Sequence, residues 1–414
     1  MVRRLAVLAY HSSPLGPPGE GDSGGMTVYV RDLAAAFARR GVHTDVYTRA
    51  GSPGRAVTSL GPGVRVISIT AGPRERLPKE ALTEHLGEFV EGVRAFALAQ
   101  RVRYDVVHSH YWQSGLAAIP LAAAWDVPLV HSHHTLGKVK NRFLAPGDRP
   151  EPDSRLAGEA RVIDAADVLV ASTDDEWKQL ACLYGAEHDK LKTLHPGVDH
   201  SVFSPGDRGA ARAALGLGDD AVMLYVGRIQ PLKGIELAVR AAEQLVPALD
   251  RPLRFLVAGG ASGPAGDLEV ARLRALVTEL ALEDVVRFVG PVPHAELPVY
   301  YRAADALVVC SHSESFGLTA LEAHSCGTPV VGTPVGGLSH VVADERSGFL
   351  VDTRDPSVFA ARLKTLLADD ALRARFGAAA VTEASAFSWE RTAASLQELY
   401  ECLMREQSPE ACTC

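Results

Sequence analysis

Along the first half of the chain, short runs of Val, Leu, Ile and Tyr alternate with longer stretches in which apolar residues recur three and four positions apart. The runs at 5–10, 44–49, 64–70, 105–110 and 128–134 read as buried strands, with amphipathic helices between several of them. That alternation predicts a parallel, doubly wound sheet covered by helices on both faces. A second series follows, with candidate strands at 222–227, 254–260, 285–290, 306–311 and 329–333. Between the two, the Pro-, Gly- and Asp-rich stretch 195–209 breaks both periodicities and reads as a linker. The expected organisation is an α/β chain of two Rossmann-like domains, 1–204 and 205–387. A closing segment, 388–414, is expected to send a helix back over the first domain and end in a frayed tail.

Length agrees with this division, because 414 residues exceed what one hydrophobic core ordinarily supports. With 47% hydrophobic and 22% charged residues, the composition excludes disordered and fibrous classes. The 42 Lys and Arg against 50 Asp and Glu give a net charge of -8, which argues against broad binding to nucleic acid or to an anionic membrane. No apolar run reaches the roughly 18 to 20 residues that span a bilayer, and the amino-terminal apolar run is short for a signal peptide. A cytoplasmic location is the resulting expectation. Six cysteines are too few and too scattered for a disulfide framework; the pair Cys412 and Cys414 reads as part of the tail rather than as a metal site.

Open parallel sheets bind ligands beyond the carboxyl ends of their strands, and the chemically expressive residues fall there. Gly24 and Gly25 follow the first strand and lead into a helix, where bare backbone admits either a tight turn or the approach of a phosphate or sugar. This pair is not GxGxxG, which disfavours a nicotinamide site. Arg228 and Lys233 lie between a strand and a helix, as two solvated loop cations or as a grip on a diphosphate, and their position favours the grip. Glu314 precedes a helix that carries Glu322, with Ser315, Phe316 and Gly317 offering backbone N–H groups at its start. The histidine runs at 108–110 and 131–134 lack Cys or Glu partners for zinc. Lys138, Lys140, Arg142, Arg149 and Arg155 concentrate positive charge over 137–155, as a solvated loop or as a seat for an anionic acceptor.

Taken together, GDSGGMTVYV, HSHYWQSG, HHTLGKVKN, HPGVD, YVGRIQPLKG and SESFGLTALEA resemble, in order and spacing, the retaining family-4 glycosyltransferases of GT-B fold. Within that family the likeness is to the mycothiol-pathway branch, which moves GlcNAc from UDP-GlcNAc onto 1D-myo-inositol 3-phosphate. The resemblance implies that Lys79, Tyr111, Thr135 and Arg155 hold the acceptor phosphate while His11, Asp22, Gly24 and Thr27 surround the cyclitol. It places Gly25, Arg228, Lys233, Glu314, Ser315, Phe316, Gly317 and Glu322 at the donor, with Glu322 on the ribose and Glu314 on the sugar. His134 would stand beside the reacting sugar, so that His134, Arg228, Lys233 and Glu314 are the expected catalytic set. No cofactor is implied for transfer; a structural Mg2+ near Tyr301, Arg302, Ala304 and Thr328 and a homodimer are family-level expectations. Three positions depart from the family pattern: Thr27 replaces an Asn, Pro17 a Gln, and Val292 an Arg that commonly meets the nucleotide.

Overall fold

The computed structural model describes residues 1–16, 19, 23–52, 54–144, 149–263 and 266–406. Asp22, Pro17, Cys412 and Cys414 lie outside the described residues. The first sheet contains β1 (Arg4–Leu8), β2 (His43–Arg49), β3 (Val57–Gly61), β4 (Val64–Ile69), β5 (Val106–His110), β6 (Leu129–Ser132), β7 (Val168–Ala171) and β8 (Leu191–Thr193). Its order is β3-β4-β2-β1-β5-β6-β7-β8, parallel except for the antiparallel edge strand β3. The second sheet contains β9 (Ala221–Val226), β10 (Leu253–Ala258), β11 (Val286–Gly290), β12 (Ala306–Val309), β13 (Val330–Gly332) and β14 (Gly348–Leu350). Its order, β11-β10-β9-β12-β13-β14, is that of a Rossmann sheet.

Alternation within the central strands explains their apolar sequences. Leu5 and Val7 of β1 face one cluster while Ala6 and Leu8 face another; in β9, Ala221, Met223 and Tyr225 oppose Val222 and Leu224. Both faces of each sheet are therefore covered, as parallel strands require. Strands β3, β7, β8 and β14 were not expected from the sequence pattern. The polar VTSLG of β3 is half exposed at an edge, and β8 and β14 are three residues long, too short for any periodicity to register.

The last described helix, Trp389–Glu406, buries Trp389, Ala393, Leu396 and Tyr400 beside Tyr29, Leu33 and Phe37 of the first half. Its i, i+4, i+7, i+11 spacing makes one apolar stripe. A Cβ on Gly197 would overlap the backbone of Ser388, so glycine is what lets the two chain passages meet. No helix among the described residues is long and apolar enough to cross a membrane.

Candidate active site

In each sheet the strand order reverses beside the first strand, between β1 and β5 and between β9 and β12. Chain leaving a sheet at such a point diverges and opens a crevice. His11 follows β1, Tyr111 follows β5, Arg228 follows β9 and Glu314 follows β12, and all four line one cleft of about 1720 Å3 between the two halves.

On the first-half wall, Tyr111 has φ +74° at the entrance to helix Trp112–Trp125. That backbone turns its ring against His11, with centroids 4.4 Å apart. Arg155 lies 5.1 Å and the Lys79 ammonium 5.9 Å from the same ring centre. Arg155 is only 3% exposed; it donates to Glu159 at 2.8 Å and to the Thr135 hydroxyl at 3.0 Å. Glu159 is fully buried and also accepts from the Gly137 N–H and the Tyr184 hydroxyl, so the guanidinium is held in place by a carboxylate that is itself held. Lys79, Tyr111, Thr135 and Arg155 are thus brought together. Lys138 is engaged by the Leu183 carbonyl, while Lys140 pairs at the cleft wall with Glu151, which also meets Arg155 at 3.0 Å.

The structure places Thr27 differently from the expectation. Its side chain is fully buried, shares a 2.8 Å hydrogen bond with the Ser12 hydroxyl and is not among the residues that line the cleft. Gln113 was not singled out, yet its buried amide donates to the Lys79 carbonyl at 2.8 Å and to the Thr83 hydroxyl at 3.1 Å, fixing the backbone that carries Lys79. The signal was present: Gln113 lies inside the HSHYWQSG run.

Across the cleft, Lys233 and Glu314 pair at 2.6 Å, and the Ser311 hydroxyl donates to the same carboxylate. Arg228 donates to the Ser262 hydroxyl at 3.2 Å. Gly24 lies directly beneath it, because a Cβ there would sit 3.0 Å from Arg228 Nε. Gly25 faces Leu318 in the same way. The loop bearing Ser315 and Phe316 rests on Gly336 and Gly337, where any Cβ would overlap the Glu314 carbonyl or the Phe316 backbone. Gly317, at φ +97°, then turns the chain into helix Leu318–Ser325. Val292 lines this wall without adding charge.

Glu322 accepts from the Tyr301 hydroxyl at 2.8 Å and lies 2.8 Å from His294 Nε2. The other ring nitrogen of His294 meets Arg31 of the first half at 3.0 Å. Burial would lower the pKa of His294, but the charge and hydrogen bond of Glu322 outweigh it and the net shift is upward. Neither His294 nor Arg31 stood out in the sequence, since their partners are 28 and 263 residues away.

His134 lines the cleft at φ +62°, with its carbonyl accepting from Ser315 of the second half. Burial takes its pKa down to about 4 and those of His108 and His133 to about 3, and also lowers His110 and His131. These rings are neutral near pH 7. No group of three or more His, Cys, Asp or Glu suited to a metal occurs among the described residues. The Tyr301 carbonyl accepts from the Thr328 hydroxyl at 2.6 Å and from the Ala304 N–H, while Arg302 donates to the Ser204 carbonyl. These four positions offer neutral oxygens of the type Mg2+ accepts, but no carboxylate.

Residues 24–197 match the family model for a glycosyl transferase 4-like domain, and 207–382 that for glycosyl transferases group 1. A relative from Catenulispora acidiphila, D-inositol 3-phosphate glycosyltransferase 2, is 49% identical over 96% of this chain and 94% of its own. The chain belongs to the D-inositol 3-phosphate glycosyltransferase family. The family's member from Mycobacteroides abscessus is also 49% identical, over 96% of this chain and 89% of its own. Among solved structures, sucrose-phosphate synthase from Thermosynechococcus elongatus is similar at 33% identity and a TM-score of 0.90, covering 98% of this chain and all of that one. The fold is GT-B, and the protein is a glycosyltransferase.

Proposed function

We propose that this enzyme transfers GlcNAc from UDP-GlcNAc to 1D-myo-inositol 3-phosphate with retention, a step of mycothiol biosynthesis carried out in the cytoplasm. The observation that carries the reading is the convergence of Lys79, Thr135 and Arg155 around Tyr111, facing Arg228 and Lys233 across one cleft. Two separate cationic seats suit an acceptor monophosphate and a donor diphosphate. Residues 1–204 form the acceptor domain in this proposal, 205–387 the donor domain, and the closing helix ties the chain back to the first.

Arg228 and Lys233 take up the charge that develops on the departing diphosphate, assisted by the N–H groups of Ser315, Phe316 and Gly317. Glu322 holds the ribose and Glu314 the sugar hydroxyls. The acceptor hydroxyl bonds to the anomeric carbon on the face from which the diphosphate leaves, and its proton passes to the leaving oxygen. No carboxylate nucleophile is used. Contacts between the halves, such as Ser315 to His134, exclude water when both substrates are bound. Transfer needs no metal; an Mg2+ at Tyr301, Arg302, Ala304 and Thr328 would brace the turn behind Glu322. A homodimer is part of the proposal and is read by sedimentation.

The similarity to sucrose-phosphate synthase favours a second reading, with the same cleft serving a phosphorylated hexose. Nucleotide release from UDP-GlcNAc is measured with inositol 3-phosphate, unphosphorylated inositol, a hexose phosphate and no acceptor, and the product is weighed by mass spectrometry. Rapid release with inositol 3-phosphate alone, giving a phosphorylated glycoside, is the expected result. Release driven by the hexose phosphate instead would replace the acceptor named here.

A further inference from the structure

His134 Nε2 lies 2.9 Å from His110 Nδ1, and this contact carries information about where a proton sits. Both rings are buried and depressed in pKa, so each is neutral and bears one N–H. Two arrangements satisfy the contact. In one, His110 Nδ1–H donates to His134 Nε2, leaving His110 Nε2 as a bare lone pair. In the other, His134 Nε2–H donates to His110 Nδ1, leaving an N–H on His110 Nε2. That Nε2 atom is fully buried and has no hydrogen-bond partner. A buried donor without an acceptor is rarer and costlier than an idle lone pair, which selects the first arrangement. His134 then carries its proton on Nδ1, a nitrogen with no hydrogen-bond partner among the described residues, on a side chain that lines the cleft.

We infer that His110 is a positioning residue that fixes the tautomer of His134, so that a neutral Nδ1–H is presented as a hydrogen-bond donor to the donor sugar. The inference rests on the reading that places His134 beside that sugar. His110 is held for this task from its other side. Its ring stacks on His108 with centroids 4.3 Å apart, and His108 is fixed by the Tyr400 hydroxyl at 2.7 Å and the Ser132 hydroxyl at 2.9 Å. Tyr400 belongs to the closing helix, which therefore reaches the cleft through a seam of neutral imidazoles. The Tyr29 ring, perpendicular to that of His134 with centroids 4.9 Å apart, and the Ser315 contact to its carbonyl limit the remaining freedom of the ring.

The experiment uses the full chain labelled with [15N]histidine, its imidazole nitrogens assigned by loss of signals in His110→Asn and His134→Asn. Long-range 1H–15N correlations near pH 7 are expected to show His134 protonated at Nδ1 and bare at Nε2. A proton on His134 Nε2 overturns the inference whatever the activity. Asn at 110 keeps an N–H close to where Nδ1 stood, whereas Leu removes it. His110→Leu is expected to lower kcat roughly tenfold or more with donor KM changed little, and His110→Asn to recover most of that loss. Equal damage from both variants, or none from Leu, also overturns it. Near-normal transfer by His134→Asn would instead refute the placement of His134 at the sugar, while the spectra still decide the tautomer.

Discussion

The two walls of the cleft hold their charges at different depths. On the acceptor wall, Arg155 is held by two carboxylates, the fully buried Glu159 behind the site and Glu151 at the cleft lining 3.0 Å away, and the backbone of Lys79 is pinned by Gln113. On the donor wall, Lys233 is neutralised by Glu314, which itself lines the cleft, and Glu322 is occupied by His294 and Tyr301. The acceptor seat is therefore built before its ligand arrives. The donor seat satisfies itself internally and has to exchange those contacts for the nucleotide sugar. A diphosphate can compete for Lys233 because its pair with Glu314 is only partly buried, whereas the Arg155–Glu159 pair is almost wholly buried and need not be exchanged when a ligand arrives.

The sharpest way to break this contrast is Lys233→Ala. Removing a cation aimed at the leaving diphosphate should cost roughly 10²- to 10³-fold in kcat/KM with little effect on the melting temperature. Steady-state kinetics that stay near wild type would remove Lys233 from the chemistry. Arg155→Leu should behave in the opposite sense. It strands the buried Glu159, so chemical denaturation should report a loss of about 3–5 kcal/mol along with weakened acceptor use. An unchanged unfolding midpoint would mean that the acceptor wall is not prebuilt.

Acid should weaken the fold through the histidine seam of the first half. His108, His110, His131, His133 and His134 have folded pKa values below the ordinary 6.5, so the unfolded chain binds protons that the folded chain refuses. Their contribution is intact above pH 6.5 and is lost as the pH falls from there towards about 4 and 3. Melting temperature measured against pH should fall across this window, and less steeply in His133→Phe. A flat profile would argue that these rings accept protons in place.

A smaller effect belongs to His294, which faces Glu322, Arg31, Asp32 and the ring of Phe203. Its pKa is raised on folding, so its ion pair is fully present below the unfolded value and fades as the pH rises through the folded one. Donor KM should drift upward over that rise by a few-fold, and His294→Gln should flatten the drift. A drift of equal size in the variant would assign it to another group.

Much of this frame was legible in the residues. Strands β1, β2, β4, β5 and β6 and then β9 to β13 announced themselves as short runs rich in β-branched and apolar residues set between helical stretches. Strands β8 and β14 stayed hidden because three residues carry no period, and β3 because a half-exposed edge tolerates Ser and Thr. Arg228 and Glu314 could be placed at the cleft because each follows a strand at the point where the order reverses. The burial of Thr27 was not legible. It sits about one helical turn from Gly24, and its hydrogen bond with Ser12 is a contact that only folding makes. His294, Gly336 and Gly337 act through residues distant in sequence, and a linear reading has no signal for contacts made by folding alone; Gln113 lies within a run the sequence did single out, although its bond to the Lys79 carbonyl is made only by folding.

Lys79→Met tests the acceptor phosphate seat most directly, because it leaves the Arg155–Glu159 pair in place. Initial rates are compared for inositol 3-phosphate and unphosphorylated inositol at saturating UDP-GlcNAc, in the wild type and in the variant. The wild type should prefer the phosphorylated acceptor strongly, and the variant should lose roughly tenfold or more of that preference while its donor KM holds. A preference left intact by Lys79→Met would contradict the assignment of this wall to the acceptor phosphate.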